Sequence, residues 1–208
     1  MASKRYTFPD NKLPYGWTAT RVSLGGQNDG SWRRDIKDGK IYYVGLNAGT
    51  ESNYWGEWLS IPVNAVGNII VDATIRQKRN ANTLGGIGVG INQLAAASGI
   101  RNGCELNFLG AARNYIRGMI AGVNTAWPGR PAQTIQALGD DELINLRVVR
   151  IAGASSYVFL YIDNKYVGQG ALAGTITSVD VLTTWGTGQL ASEKWLQLLS
   201  ITPSSVVL

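Results

Sequence analysis

From Glu142 to Gly170 the chain reads ELINLRVVRIAGASSYVFLYIDNKYVGQG. Ile144, Leu146 and Val148 alternate with Asn145, Arg147 and Val149, and Val158, Leu160 and Ile162 alternate with Tyr157, Phe159 and Tyr161. A period of two in β-branched and aromatic residues marks half-buried strands. Gly153-Ala154-Ser155 breaks the two runs apart. Asp163-Asn164 reads as a two-residue turn, since both residues tolerate the left-handed backbone that such a turn demands.

The same alternation recurs along the chain and predicts strands over 17–24, 31–34, 40–46, 54–61, 68–78, 104–109, 113–120, 178–185 and 195–202. Asp38-Gly39 is the turn before the third of these, and Pro62 is expected to end the fourth. Residues 84–91 (LGGIGVGI) differ: Ile87, Val89 and Ile91 share one side, and Gly86, Gly88 and Gly90 share the other. A strand that is glycine on one side has nothing of its own to pack there, so a ligand or bulky side chains from neighbouring strands must approach it. A single helical turn is expected within 92–100. Many short strands with turn signals between them predict an all-β sandwich or barrel.

At 208 residues the chain suits one domain with a full core. The expected division is an N-terminal arm over 1–16, a sandwich over 17–202 and a tail over 203–208. The 26 glycines lie well above the usual ~7%. The N-terminus lacks an apolar signal region, and no apolar run approaches the ~18 residues of a membrane span. The formal charge of +5 is spread over scattered Lys and Arg, which reads as a solubilising surface and not as a nucleic-acid patch.

Histidine is absent, which removes the commonest general base and metal ligand. The single Cys104 alternates with Leu106 and Phe108 and is expected to be a buried, inert thiol. For calcium, Asp29, Asp35, Asp38 and Asp140 are candidate ligands, but no loop spaces them to supply six to eight oxygens. No cofactor is expected.

The order of the strands, with NIIVDATIRQK, GGIGVGI and SVDVLTTWGTG…WLQLLSIT, resembles the concanavalin A-like lectin/glucanase superfamily. The closest feature is LYIDNKYVG, which resembles a hairpin shared by laminin-G-like and glucanase-like members. The resemblance spans residues 15–202 and implies a jelly roll of two antiparallel sheets with ligands on a concave face or at the loop rim. It also implies a test for catalysis, because the glucanase branch carries Glu-x-Asp-x-Glu on one strand. Here Glu105-Leu106-Asn107 supplies one carboxylate and an amide, short of the paired carboxylates that glycoside hydrolysis needs. The chain is therefore expected not to be an enzyme.

A glycan site needs an aromatic platform and a few polar groups. The candidate set is Asp72, Arg76, Glu105, Asn107, Tyr115 and Arg117 on one face, floored by the glycines, with Trp127 stacking from a Pro-flanked loop. A merely solvated face is the bland reading of the polar residues, and packing that of Trp127. Val149, Ile151, Tyr157, Phe159 and Tyr161 would form an apolar patch on the outside of the sandwich, a candidate protein interface. A Gly- and Trp-rich, His-free chain of this kind also resembles tailed-phage virion proteins. The first reading is therefore a virion-surface decoration or tail protein, homo-oligomeric or bound to other virion subunits, that also attaches to cell-surface polysaccharide. A free lectin-like module, extracellular or cytoplasmic, is the alternative, and a glycoside hydrolase the third.

Overall fold

The computed structural model describes residues 2–9, 12–24, 32–45, 54–78, 84–92, 102–109, 114–120, 123–125, 141–185 and 193–203. These form strands without a helix, arranged in two antiparallel sheets. The eight-stranded sheet runs β13 (Lys165–Ala171), β12 (Tyr157–Ile162), β11 (Asp141–Ile151), β6 (Ile69–Lys78), β15 (Glu193–Pro203), β4 (Lys40–Gly45) and β3 (Trp32–Lys37), with β1 (Lys4–Tyr6) also beside β15. The seven-stranded sheet runs β10 (Val123–Thr125), β9 (Asn114–Ile120), β8 (Gly103–Leu109), β7 (Leu84–Ile91), β14 (Ile176–Trp185), β5 (Tyr54–Ala65) and β2 (Thr18–Leu24). The expected two-sheet sandwich is the fold of this chain.

Alternation decides which side chains enter the core. Val71, Ala73, Ile75, Leu146, Val148 and Leu160 of the first sheet join Leu59, Val89, Ile91, Val179 and Val181 of the second in one cluster, each fully buried. Burying a Val, Leu or Ile contributes roughly 1.5–3 kcal/mol, enough that a one-residue slip of any central strand would be prohibitive. Two turns close as their residues require: Asp163 and Asn164 have φ of 46° and 63°, and Asp38 and Gly39 have 52° and 69°.

Three details depart from the sequence reading. β5 does not stop at Pro62 but continues to Ala65. Pro62 lies opposite Ser178, next to a register slip between Ile176 and Ser178, and such an irregularity accommodates a residue without a backbone N–H. The N-terminal segment, expected as an irregular arm, is stitched into the body. Its residues 4–6 pair with Leu199 to Ile201, Phe8 is buried, and the Tyr6 and Phe8 rings meet Trp17 edge-on at 4.9 and 5.6 Å. Three-residue strands such as β1 and β10 are too short to show periodicity; β1 forms because β15, far away in sequence, offers its edge, and β10 pairs with β9 just before it. The helical turn expected within 92–100 lies, apart from Asn92, outside the described residues.

Each end of the sandwich is closed by polar groups pointing between the sheets. At one end the buried Arg150 donates from Nη1 to the carbonyls of Val66 and Gly67, both at 2.7 Å, and from Nη2 to Gly174 at 2.7 Å and the Ser156 hydroxyl at 3.3 Å. Desolvation lowers the pKa of this guanidinium. At the other end Arg34 Nη1 lies 2.5 Å from Oε1 of the buried Glu57, beside Tyr43 and Thr183. Burial pushes the Tyr43 phenol well above its ordinary value, the Glu57 carboxylate pushes the same way, and Arg34 opposes them.

Candidate functional site

The glycine strand lies inside the seven-stranded sheet, and the register shows what flanks it. Gly88 sits between Glu105 and Leu182, and its row continues to Arg117 on one side and Trp58 on the other. Gly86 pairs with Asn107, which pairs with Tyr115. Gly90 sits between Gly103 and Asp180, followed by Ser60.

On the outward face, Trp58, Leu182 and Met119 form a second hydrophobic cluster in which Trp58 is 2% exposed. Asp180, 1% exposed on the same face, accepts hydrogen bonds from Ser60 and from Ser178 Oγ, the latter at 2.6 Å. At Gly103 the approach is by backbone: a Cβ there would lie 2.1 Å from the Val89 carbonyl oxygen and 2.5 Å from Gly90 Cα. Close packing by neighbouring strands therefore accounts for the middle of the face. The rows through Gly86 and Gly88 lead instead to Asn107, Tyr115, Glu105 and Arg117.

The seven residues expected to form one glycan site are not brought together. Glu105, Asn107, Tyr115 and Arg117 fall on adjacent positions of β8 and β9. Asp72 and Arg76 belong to β6, in the other sheet, and the body of the sandwich separates them from those four. Sequence alternation correctly turned Asp72 and Arg76 away from the core, but it cannot say which of two sheets a strand joins. Trp127 lies outside the described residues.

Asp72 and Arg76 instead share a face with the residues expected at a protein interface. Across the outward face of the eight-stranded sheet, Arg147 Nε meets Asp72 Oδ1 at 2.6 Å, with Tyr161 next along the row and its ring 5.9 Å from Tyr166. One side of this pair carries Val149, Phe159, Ile151 and Tyr157, the last 40% exposed. On the other side the Arg76 guanidinium lies 5.1 Å from the Trp195 ring, Trp195 lies 5.6 Å from Tyr42, and Lys37 Nζ sits 5.1 Å over Tyr42. The pattern that predicts Val149, Ile151, Tyr157, Phe159 and Tyr161 as coplanar gave no sign of this cationic and aromatic continuation. Trp195 and Tyr42 become neighbours only through pairing of β15 with β4.

Acid chemistry on the glycine face is limited in the same way. The row through Glu105 holds Arg117, Gly88, Leu182 and Trp58, with no second carboxylate among them. Glu57 points between the sheets, where its partner is Arg34. Among the described residues no three His, Cys, Asp or Glu side chains gather to hold a metal. Of the calcium candidates, Asp35 is engaged by Arg33 at 2.8 Å, Asp38 forms a turn, and Asp29 and Asp140 lie outside the described residues. Cys104 is fully buried, as expected, with Sγ 3.9 Å from the Tyr161 carbonyl. No described helix is long and apolar enough to cross a membrane.

Sheet order and register define a two-sheet antiparallel β-sandwich of the jelly-roll kind. Among solved structures, the carbohydrate recognition domain of Emp47p superposes with a TM-score of 0.61 at 15% identity, over 97% of this chain and 95% of that one. The CBM2 module of the evolved Dit protein of Lactobacillus casei BL23 phage J-1 gives 0.56 at 13%, over 100% and 98%. A protein from work on endo-acting O-glycanases of the human gut microbiota that initiate mucin breakdown gives 0.58 at 10%, over 97% and 99%. At these identities the likeness is one of fold. No protein-family model and no curated protein matches the sequence.

Proposed function

We propose that this chain is a non-enzymatic carbohydrate-binding sandwich displayed on a virion surface, where it assembles with other copies of itself or with other virion subunits. The observation that carries the glycan reading is the register of β7, β8 and β9, which sets Glu105, Asn107, Tyr115 and Arg117 side by side against Gly86 and Gly88. A carboxylate, an amide, an aromatic ring and a guanidinium at neighbouring register positions, beside the buried Gly86 and Gly88, are the ingredients of a saccharide site at that end of the sheet. Hydrolysis is disfavoured because the Glu105 row lacks the partner carboxylate that either stereochemical course requires. Carbohydrate recognition in fold neighbours supports the reading, and the phage module supports the virion setting. Asp72 and Arg76 drop out of the glycan site on this account.

The test is a titration of the purified protein with a panel of mannans, glucans, galactans and uronate polymers, followed by tryptophan fluorescence and calorimetry. Asn107→Ala and Tyr115→Ala should each weaken binding about tenfold, near 1.4 kcal/mol, while Asp72→Asn leaves it unchanged. The reading fails if no polymer gives saturable binding, or if both variants bind like the parent. Release of reducing ends from any polymer would restore the hydrolase reading.

A purely structural subunit is the second reading, and the half-exposed aromatic face of the eight-stranded sheet favours it. A stable oligomer that ignores every glycan, and that Phe159→Asp dissociates, would establish it.

A further inference from the structure

On the outward face of the eight-stranded sheet, Asp35, Tyr42, Trp195, Arg76 and Leu143 are register partners across β3, β4, β15, β6 and β11. Lys37 and Lys40 pair with each other one row away on the same face. The two described strand carboxylates of this face are already engaged: Asp35 by Arg33 at 2.8 Å, and Asp72 by Arg147 at 2.6 Å. The bordering row, Arg33, Val44, Glu193, Lys78 and Asp141, matches its bases with acids, so the excess charge around Tyr42 and Trp195 is positive.

Aromatic rings hold these cations in place. The Arg76 guanidinium and Lys37 Nζ each lie 5.1 Å from a ring, Trp195 and Tyr42 respectively, and the two rings are 5.6 Å apart. Long basic side chains lose rotamer freedom when they bind, and stacking on a ring takes that loss in advance. A guanidinium stacked on a ring still presents its N–H edge, the geometry that receives a carboxylate bidentately. The Trp195 indole N–H is buried and has no hydrogen-bond partner among the described residues, a donor that awaits an acceptor.

We propose that the strip of Lys37, Tyr42, Trp195 and Arg76 is a second saccharide site, on the sheet opposite the glycines, and that it takes a uronate polysaccharide. Carboxylates of the polymer meet Arg76 and Lys37, while its sugar rings lie along the half-buried Tyr42 and the exposed Leu143. A polymer is the fitting occupant because β4 and β15 separate β3 from β6, about 14 Å across the sheet. A chain of repeating carboxylates spans that distance and a single acid does not. Choosing a sugar polymer over an acidic peptide rests on the carbohydrate reading above; the strip itself does not depend on the glycine face.

Calorimetry with polygalacturonate, a neutral galactan and poly-glutamate is the deciding experiment. The parent should bind polygalacturonate, less tightly as salt rises, and poly-glutamate about tenfold more weakly. Arg76→Gln should weaken polygalacturonate binding about tenfold, and Lys37→Gln about threefold. Lys165→Gln, which removes the same charge from an exposed position at the far edge of the sheet, should leave it unchanged. The inference is overturned if polygalacturonate does not bind, if poly-glutamate binds equally well, or if Lys165→Gln weakens binding as much as Arg76→Gln. Should Arg76→Gln lower the melting temperature, the exposed Lys37 decides alone: the threefold loss supports the strip, and parent-like binding refutes it. Galactan binding, with Asn107→Ala and Tyr115→Ala, is read separately. Uronate binding that those two variants lose and Arg76→Gln keeps assigns the acid to the glycine face and refutes the strip. Galactan binding alone refutes the strip and leaves the glycine face standing, whereas uronate binding through Arg76 without galactan binding does the reverse.

Discussion

The two sheets obey one alternation rule and present opposite outward faces. On the seven-stranded sheet the outward positions include Gly86, Gly88, Gly90 and Gly103, and the apolar cluster beside them, Trp58, Leu182 and Met119, is buried. On the eight-stranded sheet they include Tyr42, Phe159, Tyr157, Tyr161, Tyr166 and Trp195, mostly half-exposed, with Arg76 and Lys37 over the rings. Small residues thus mark the face with its own buried cluster, and large ones the face left partly open. Apolar character at an outward position does not by itself reveal an interaction surface. Burial at that position decides whether the residue supports the chain itself or remains for something else.

The sharpest way to probe this contrast is at Gly103. Gly103→Ala forces a methyl into the β7 backbone, where no flexible side chain can yield, and should cost about 3 kcal/mol or prevent folding; a urea unfolding curve resembling the parent's would dissolve the close-packing account of the face. Leu182→Ala should come next, at about 2–4 kcal/mol, because it leaves a cavity beside Trp58 and Met119. A loss below about 1 kcal/mol would mean that the cluster is not a packed core.

Between the faces, Tyr43 gives a pH signature. Its folded pKa is raised, so its stabilising contribution is fully present below the unfolded value near 10 and is lost as pH rises towards the folded value. Unfolding midpoints of the parent should therefore fall relative to those of Tyr43→Phe only above about pH 10, and parallel profiles would refute the assignment. The smallest effect belongs to the open face, where Tyr157→Thr should change stability by about 0.5 kcal/mol or less. A cost equal to that of Leu182→Ala would erase the difference between the faces.

How much of this was readable beforehand differs between fold and site. Strands such as 69–78 and 157–162 are visible because each alternates over six or more residues, and the Asp163-Asn164 turn is visible because its backbone demands particular residues. Sheet membership is not visible. Asp72 and Glu105 both read as outward polar residues, and only the pairing of β6 with β11 and of β8 with β7 sends them to different faces. Arg150 looked like one more residue in an alternating run, since nothing local announces that the turns at Val66, Ser156 and Gly174 will converge on it. Pairing over 75 or more residues, as between Asp72 and Arg147, leaves no imprint on a window of ten.

The position of β14 and β15 has a consequence for how the protein is made. They come last among the described strands, yet each occupies the interior of its sheet: β14 joins β7 to β5, and β15 joins β6 to β4. Without β14 and β15 each sheet would be two fragments with unpaired strand edges facing a gap. Closure of both sheets therefore waits on contacts far apart in sequence and falls late in folding, where exposed strand edges make the chain most dependent on chaperone protection.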